Sequence, residues 1–187
     1  MADANLSGAE WWRANQARYP NSRDVDDLAP SFRSNVQDFI GSLRDAGARV
    51  TVSSTRRNAT RAHLMHYSWR VAHGDVDPAD VPRHAGLDIE WDHGDLDASR
   101  RATREMVELF NMAHVASLRS NHIRGLAIDM TISWRGELLL TRPAPLQARI
   151  ETGPRTGGNR ELHRIGADVF GVRKLLNDPP HWSQNGR

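Results

Sequence analysis

The stretch from residue 126 to 132 constrains the fold of this chain more than any other feature. Four apolar residues alternate there with smaller or polar ones: Leu126, Ile128, Met130 and Ile132. This period of two predicts a strand with one face in the core and Asp129 on the other face. Arg135-Gly136 then predicts a tight turn into Glu137–Thr141, so we expect residues 126–141 to form a β-hairpin.

The rest of the chain predicts helices around this sheet. Apolar spacings of three and four predict helices at 8–18, 31–46, 59–73, from an N-cap at Asp97 to about residue 114, and at 161–176. Alternation predicts a strand at 50–52 and indicates a further one at 87–91, while the composition of 142–160 is typical of a long loop. We therefore predict a single α+β domain, with a small antiparallel sheet and helices packed on one face. Residues 1–27 form its N-terminal helix and loop, and residues 28–187 its main part.

Composition narrows the class of protein. The 187 residues suit one domain with a real core, and the absence of cysteine restricts any metal site to His, Asp and Glu ligands. The net charge is only +2, and the arginines are scattered, so we expect no nucleic-acid binding. No apolar run is long enough to insert into a membrane, and the N-terminus lacks a signal peptide, which predicts a cytoplasmic chain.

Two short segments carry candidate metal ligands. Asp129 lies in mid-strand, where a carboxylate is disfavoured unless a cation or hydrogen-bond donors receive it, although a solvent-facing Asp stays the alternative. His122 precedes the strand, and Gly125 allows a turn that would bring the imidazole back over Asp129. Near the C-terminus, two prolines separate Asp178 from His181. They predict polyproline geometry that points both side chains the same way, unless the segment is only a Pro-rich tail.

These segments resemble the signature of a known family. Ser120-x-His122-x-x-Gly125-x-Ala127-x-Asp129, followed by Asp178-x-x-His181-Trp182, is similar to the motifs of the zinc D-alanyl-D-alanine peptidases. That family includes D-Ala-D-Ala dipeptidases and carboxypeptidases, and the L-alanyl-D-glutamate endolysins of bacteriophages. Val52–Arg56 resembles its Ser-Gly-Tyr-Arg element at the end of a strand, and the resemblance covers residues 28–183.

The resemblance implies a role for each site residue. It makes His122, Asp129 and His181 the ligands of one zinc ion on the sheet face away from the helices. It makes Asp178 the general base and Arg56 the group that stabilises the oxyanion. Ser120 is expected to contact a ligand residue or the substrate, with an ordinary loop serine as the alternative. Because Ser54-Thr55 replaces the Gly-Tyr of the family, Arg57 is an alternative to Arg56.

The implied function is hydrolysis of peptidoglycan stem peptides, with residues 28–187 as the peptidase domain. Asp178 is the base type of the family's endolysins, whereas its dipeptidases use Glu. We therefore expect a monomeric phage-type endolysin or virion-associated lysin that reaches peptidoglycan through a holin or in a particle. The alternatives are a cytoplasmic D-Ala-D-Ala dipeptidase or carboxypeptidase, and a wall-binding module that retains the fold without catalysis.

Two further pairs of residues, one of histidines and one of tryptophans, are expected to have structural rather than functional roles. His63 and His66 lie three apart on a predicted helix, but no carboxylate is in register with them, so surface positions are expected rather than a second metal site. Trp11 and Trp12 are expected to cover the core, because aromatic side chains bury large apolar areas, with a wall-contacting platform as the alternative.

Overall fold

A computed structural model describes residues 5–141, 145 and 147–187. The helices are α1 Ala9–Asn15, α2 Pro30–Asp45, α3 Ala59–Ala72, α4 Leu96–Leu109 and α5 Arg160–Phe170. The strands are β1 Arg49–Ser54, β2 Ala127–Ser133, β3 Leu138–Leu140, β4 Ala148–Ile150, β5 Arg173–Lys174 and β6 His181–Ser183. In the described part of the chain, no helix is both long enough and apolar enough to cross a membrane.

The predicted fold class, α+β with a small antiparallel sheet, is confirmed. The contacts group the chain into two compact units. The helical unit comprises residues 1–20 and 58–120, and the sheet unit comprises residues 21–57 and 121–187. The expected division of one domain into an N-terminal segment, residues 1–27, and a main part, residues 28–187, stays a prediction.

The sheet unit is organised by β2. Antiparallel pairing gives the strand order β1-β2-β6-β5, so β2 has a neighbour on each side. Ile128, Met130 and Ile132 are at most 1% exposed and join a core that includes the apolar side of α2. From Ile128 to Ile132 the period of two in the sequence is thus a period of burial, as predicted. At the start of the pattern Leu126 is only half-buried, and Ala127 is fully buried.

The predicted hairpin over residues 126–141 is wrong. β3 pairs with β4 in a separate two-stranded sheet, with Leu138 opposite Ile150. β1 pairs with residues 129–133 on one edge of β2, and β6 pairs with residues 127–129 on the other. The rest of that second edge, where the predicted hairpin would pair, bonds instead to residues 155–157. The expected loop at 142–160 therefore contains a strand, and residues 142–144 and 146 of that prediction lie outside the described residues.

The last helix is shorter than the predicted 161–176. It begins after Asn159, whose side chain accepts a hydrogen bond from the Leu162 N–H at 3.0 Å, and it ends at Phe170, just before Gly171. Gly171 has φ 66°, a left-handed conformation that ends helices and that glycine adopts most readily. The chain then turns into β5, which leads to the segment carrying Asp178 and His181.

The helical unit has a core of its own. Trp11 and Trp12 are 5% and 2% exposed in this core, which confirms their predicted burial. α4 begins two residues earlier than expected, because Asp95 rather than Asp97 caps it by accepting a hydrogen bond from the Ala98 N–H at 2.7 Å. The helix stops at Leu109 instead of continuing to about residue 114. The expected strand at 87–91 is wrong, since its one pairing is an isolated bridge from Glu90 to Leu6.

A candidate metal centre in the sheet unit

Strand pairing brings two of the predicted ligands together. Asp129 on β2 lies directly opposite His181 on β6 in the antiparallel register. Directly opposite residues project from the same face with their Cβ atoms about 5 Å apart. The neighbouring Trp182 is fully buried in the core and fixes β6 in this register, 5.4 Å from the Phe39 ring. Burial of Trp182 therefore determines where His181 projects.

A glycine turn brings in the third candidate ligand, His122. Gly125 has φ 68°, and its N–H donates to the His122 carbonyl at 3.2 Å, so the 121–125 loop folds back on itself before β2. A Cβ at this position would lie 2.8 Å from the Ala29 backbone nitrogen, which itself donates to the Gly125 carbonyl at 2.9 Å. Only glycine satisfies both conditions. The loop holds the His122 imidazole beside Asp129, as the sequence predicted.

Three atoms converge on a single point. The distances are 3.2 Å from His122 Nε2 to Asp129 Oδ1, 3.1 Å from His181 Nδ1 to the same oxygen, and 3.2 Å between the two nitrogens. A tetrahedral zinc ion with ligand distances of about 2.0–2.1 Å has ligand atoms about 3.3 Å apart. The triangle therefore has the size of one face of a zinc tetrahedron. A zinc ion held by these three atoms alone would have one position left for a water molecule or a substrate atom.

The outer ring nitrogens set the tautomers. His122 Nδ1 donates to the Thr55 carbonyl at 2.6 Å, and His181 Nε2 donates to the Arg187 carbonyl at 3.2 Å. The two nitrogens facing Asp129 then carry lone pairs, as metal coordination requires. If they carried protons instead, both rings would be cationic and two N–H groups would point at each other across 3.2 Å. A metal cation resolves this conflict, so the residues present fit the ion that the family resemblance implies.

The electrostatics agree with a cation site. With no ion bound, burial raises the pKa of the Asp129 carboxyl, whereas hydrogen bonds and charge from the His122 and His181 imidazoles, protonated toward it, hold the pKa well below its usual range. A metal cation at the same point would favour the ionised carboxylate in the same way. Asp129 therefore stays ionised. Its side chain is 18% exposed against 4% for His122 and 9% for His181, so the centre opens toward solvent at the carboxylate.

Asp178 lies in a turn rather than in polyproline geometry. The His181 N–H donates to the Asp178 carbonyl at 3.1 Å, which closes a turn through Pro179-Pro180 and contradicts the predicted extended conformation. A proline fixes only its own φ, so this bond and the pairing of β6 decide the remaining angles. The Asp178 side chain is exposed, and its role as general base stays a prediction.

The structure distinguishes the two candidate arginines. Arg56 is exposed, whereas Arg57 is half-buried and its backbone N–H donates to the His122 carbonyl at 3.1 Å. Desolvation by burial lowers the pKa of Arg57, and the charge of Asp129 opposes this shift. Arg57 Nε is buried without a hydrogen-bond partner among the described residues. These observations favour the alternative, Arg57, as the guanidinium that faces the centre, while the oxyanion role stays a prediction.

Sequence reasoning missed several partners of the ligands. The carbonyls of Thr55 and Arg187 orient the two imidazoles, and no sequence signal marks them, because every residue carries a carbonyl. Ser120 is half-buried at the end of the helical unit, and its predicted contact stays a prediction. The surface position expected for His63 is wrong, since its side chain is packed in the helical unit and only 6% exposed.

No model of a known protein family matches the chain, and no characterised protein matches its sequence.

Proposed function

We propose that this protein is a zinc-dependent peptidase that hydrolyses the stem peptides of peptidoglycan. The triangle of His122 Nε2, Asp129 Oδ1 and His181 Nδ1 carries the proposal, because its edges of 3.1–3.2 Å match a zinc site with one position open. Catalytic zinc sites use three protein ligands in this way, whereas structural sites use four. The set of two imidazoles and one carboxylate, without thiolates, suits zinc.

The ligand residues and the ion have separate tasks. His122, Asp129 and His181 would hold the ion, and the carbonyls of Thr55 and Arg187 keep both imidazoles in the coordinating tautomer. When bound, zinc supplies a Lewis acid that polarises a carbonyl and lowers the pKa of a bound water.

Two further side chains complete the proposed chemistry. Asp178, exposed in the turn that ends at His181, accepts a proton from the attacking water and returns it to the leaving amine. The Arg57 guanidinium offsets the charge that develops on the scissile carbonyl oxygen, and its unpartnered Nε–H is a donor without competing acceptors among the described residues.

The choice of substrate rests on the motif resemblance. An Asp at position 178 is the base type of the endolysins in the resembling family. This supports polymeric peptidoglycan over free D-Ala-D-Ala, and a lysin delivered by a holin or a virion over a cytoplasmic dipeptidase.

The proposal is tested by incubating the purified chain with cell-wall sacculi and, separately, with D-Ala-D-Ala. Each reaction is run with zinc and with a chelator, and released fragments are identified by mass spectrometry. We expect new amino termini in stem-peptide fragments, lost with the chelator and restored by zinc. Hydrolysis of the dipeptide alone would establish the dipeptidase, and zinc-loaded protein that binds sacculi without releasing fragments would establish a wall-binding module.

The two arginines provide a matched pair of variants. We expect Arg57→Lys to lower kcat about 10²- to 10³-fold, because a lysine ammonium does not reproduce the guanidinium donors and loss of one oxyanion donor has this magnitude. Arg56→Lys should leave kcat within about twofold, since its side chain is exposed. The reverse pattern would return the role to Arg56.

A further inference from the structure

A second set of converging atoms lies in the segment that carries Asp178 and His181. Residue 174 is the only lysine among 25 basic residues of the chain. Its ammonium donates to the carbonyl oxygens of Leu175, Asp178 and His181, the last at 3.1 Å. An ammonium has three N–H donors, so this arrangement uses all of them.

The same three carbonyls already close the segment through the main chain. Leu175 accepts from the Asp178 N–H at 3.3 Å, Asp178 accepts from the His181 N–H at 3.1 Å, and His181 accepts from the Leu175 N–H at 3.1 Å. This ring turns the oxygens of all three residues toward one place. Three carbonyl dipoles that converge repel one another unless a cation lies between them, and here the cation is the ammonium of Lys174.

Lysine suits this position better than arginine. One nitrogen must reach three oxygens from a common centre, which a compact ammonium does and a planar guanidinium fork does not. The ammonium also lies 5.8 Å from the centre of the Trp182 ring, within the range of a cation–π contact. Trp182 is the fully buried residue that fixes β6, so Lys174 contacts both the turn and the strand on which His181 lies.

The geometry points to Lys174 as a positioning residue of the metal centre. By binding three carbonyl oxygens of the 175–181 turn, Lys174 holds the turn in the conformation that places His181 beside His122 and Asp129. This inference rests on the metal site of the proposed function but not on hydrolysis. The positive charge of Lys174 interacts with both Asp178 and Asp129, so the ammonium lies within electrostatic reach of the proposed base and of the candidate ligand carboxylate.

The test compares Lys174→Met with Arg173→Met. Arg173 is the neighbouring cation on β5; it is exposed and donates to the Gln184 carbonyl at 2.8 Å instead of to the turn. Both variants lose one positive charge. Zinc affinity is measured by competition with a chromophoric chelator, and the visible spectrum of the cobalt-loaded protein reports the ligand geometry.

We expect Lys174→Met to weaken zinc binding about 10- to 100-fold, the usual effect of losing a group that orients a ligand, and to change the cobalt spectrum. Arg173→Met should match the wild type in both. In a Lys174→Ala variant, propylammonium should restore part of the zinc affinity, whereas tetramethylammonium, which has no N–H donor, should not.

The outcomes separate the two proposals. A wild-type chain that binds no zinc removes the metal centre and the proposed function together. A wild type that binds zinc, with Lys174→Met equal to it in affinity and cobalt spectrum, overturns the role of Lys174 alone.

The wild type provides a measurement that does not depend on the folding of a variant. Labelling with ¹⁵N-lysine gives a single side-chain signal, because the chain has one lysine. We expect the Lys174 ammonium protons to be visible at neutral pH, since three hydrogen bonds slow their exchange with water. An ammonium that exchanges as fast as a free lysine in the folded, zinc-loaded protein would overturn the inference.

Discussion

Zinc should stabilise this protein strongly, and the effect should depend on Asp129. The three ligand atoms are 3.1–3.2 Å apart before any ion is considered, so the site needs little rearrangement to bind one. Binding free energy then appears as folding free energy. At free zinc 1,000-fold above the dissociation constant, the stabilisation is about 4 kcal/mol, which for a chain of this size corresponds to a rise in Tm of about 8–16 °C.

Asp129→Asn tests the geometry directly. The amide has nearly the same shape but lacks the one anionic ligand. If affinity falls about 100-fold, about 2.7 kcal/mol of the zinc effect is lost, or roughly 5–11 °C of Tm. The control is Asp168→Asn on α5, which removes an exposed carboxylate and should keep the full shift. In chelator, Asp168→Asn should unfold within about 2 °C of the wild type, the range typical of surface changes, and the zinc shift of each protein is measured against the same protein in chelator.

The assay is thermal unfolding by circular dichroism, with zinc and with chelator. Hydrogen exchange followed by mass spectrometry locates the effect, and we expect zinc to slow exchange in residues 121–129 and 181–183, which carry the ligands. A wild type whose Tm does not respond to zinc would refute the metal centre. An Asp129→Asn variant with the wild-type shift would refute the ligand assignment.

Three further predictions concern other positions. Asp178→Asn should retain one zinc ion per chain but lower hydrolysis about 10²- to 10⁴-fold, as loss of a general base does; full activity in the assay of released amino groups would exclude this role. Gly125→Ala should lower the free energy of unfolding in urea by more than Gly136→Ala. Both glycines have a positive φ, 68° and 67°, so both variants incur backbone strain of about 1–2 kcal/mol, but only a methyl group at position 125 would clash with backbone, at 2.8 Å. Equal losses would contradict the contact. Burial, with the nearby His84 and His66, lowers the pKa of His63 from 6.5 to about 4, so the unfolded chain takes up the proton first on acidification. The free energy of unfolding should be unaffected by His63 above pH 6.5 and should fall by up to about 3 kcal/mol as the pH drops toward 4. This is measured by thermal unfolding at a series of pH values, and a His63→Gln variant with the same loss would show that another group causes it.

Local patterns predicted most of the elements, and the errors have a common cause. Helix α2 and strand β2 were predictable because each buries one face that repeats with the period of its own backbone. The predicted hairpin at 126–141 was wrong because the sequence of β2, β3 and the turn between them is equally compatible with β3 pairing with the preceding strand β2 or with the following strand β4. The pairing of β3 with β4 depends instead on which edges of β2 are already filled.

In the candidate metal centre too, some features follow from the local sequence and others depend on the tertiary fold. The motif residues predicted that His122, Asp129 and His181 lie together, including the return of His122 through Gly125, because a glycine turn next to a strand is a local feature. The conformation of Asp178–His181 was wrong, because the prolines restrict their own φ, while the hydrogen bond closing the turn involves residues on either side of them. The choice between Arg56 and Arg57 could not be made locally, since adjacent residues differ in burial only once the fold is known.

The sequence by itself determined which chemistry is available and which way Asp129 projects, because the alternation of side chains along a strand follows from covalent geometry. Only the tertiary structure decided that His181 lies opposite Asp129, that the carbonyls of Thr55 and Arg187 fix the imidazole tautomers, and that one ammonium gathers the turn. These contacts join residues far apart in sequence through backbone atoms that every residue shares. Register, and not residue type, therefore turns the candidate ligands into a centre.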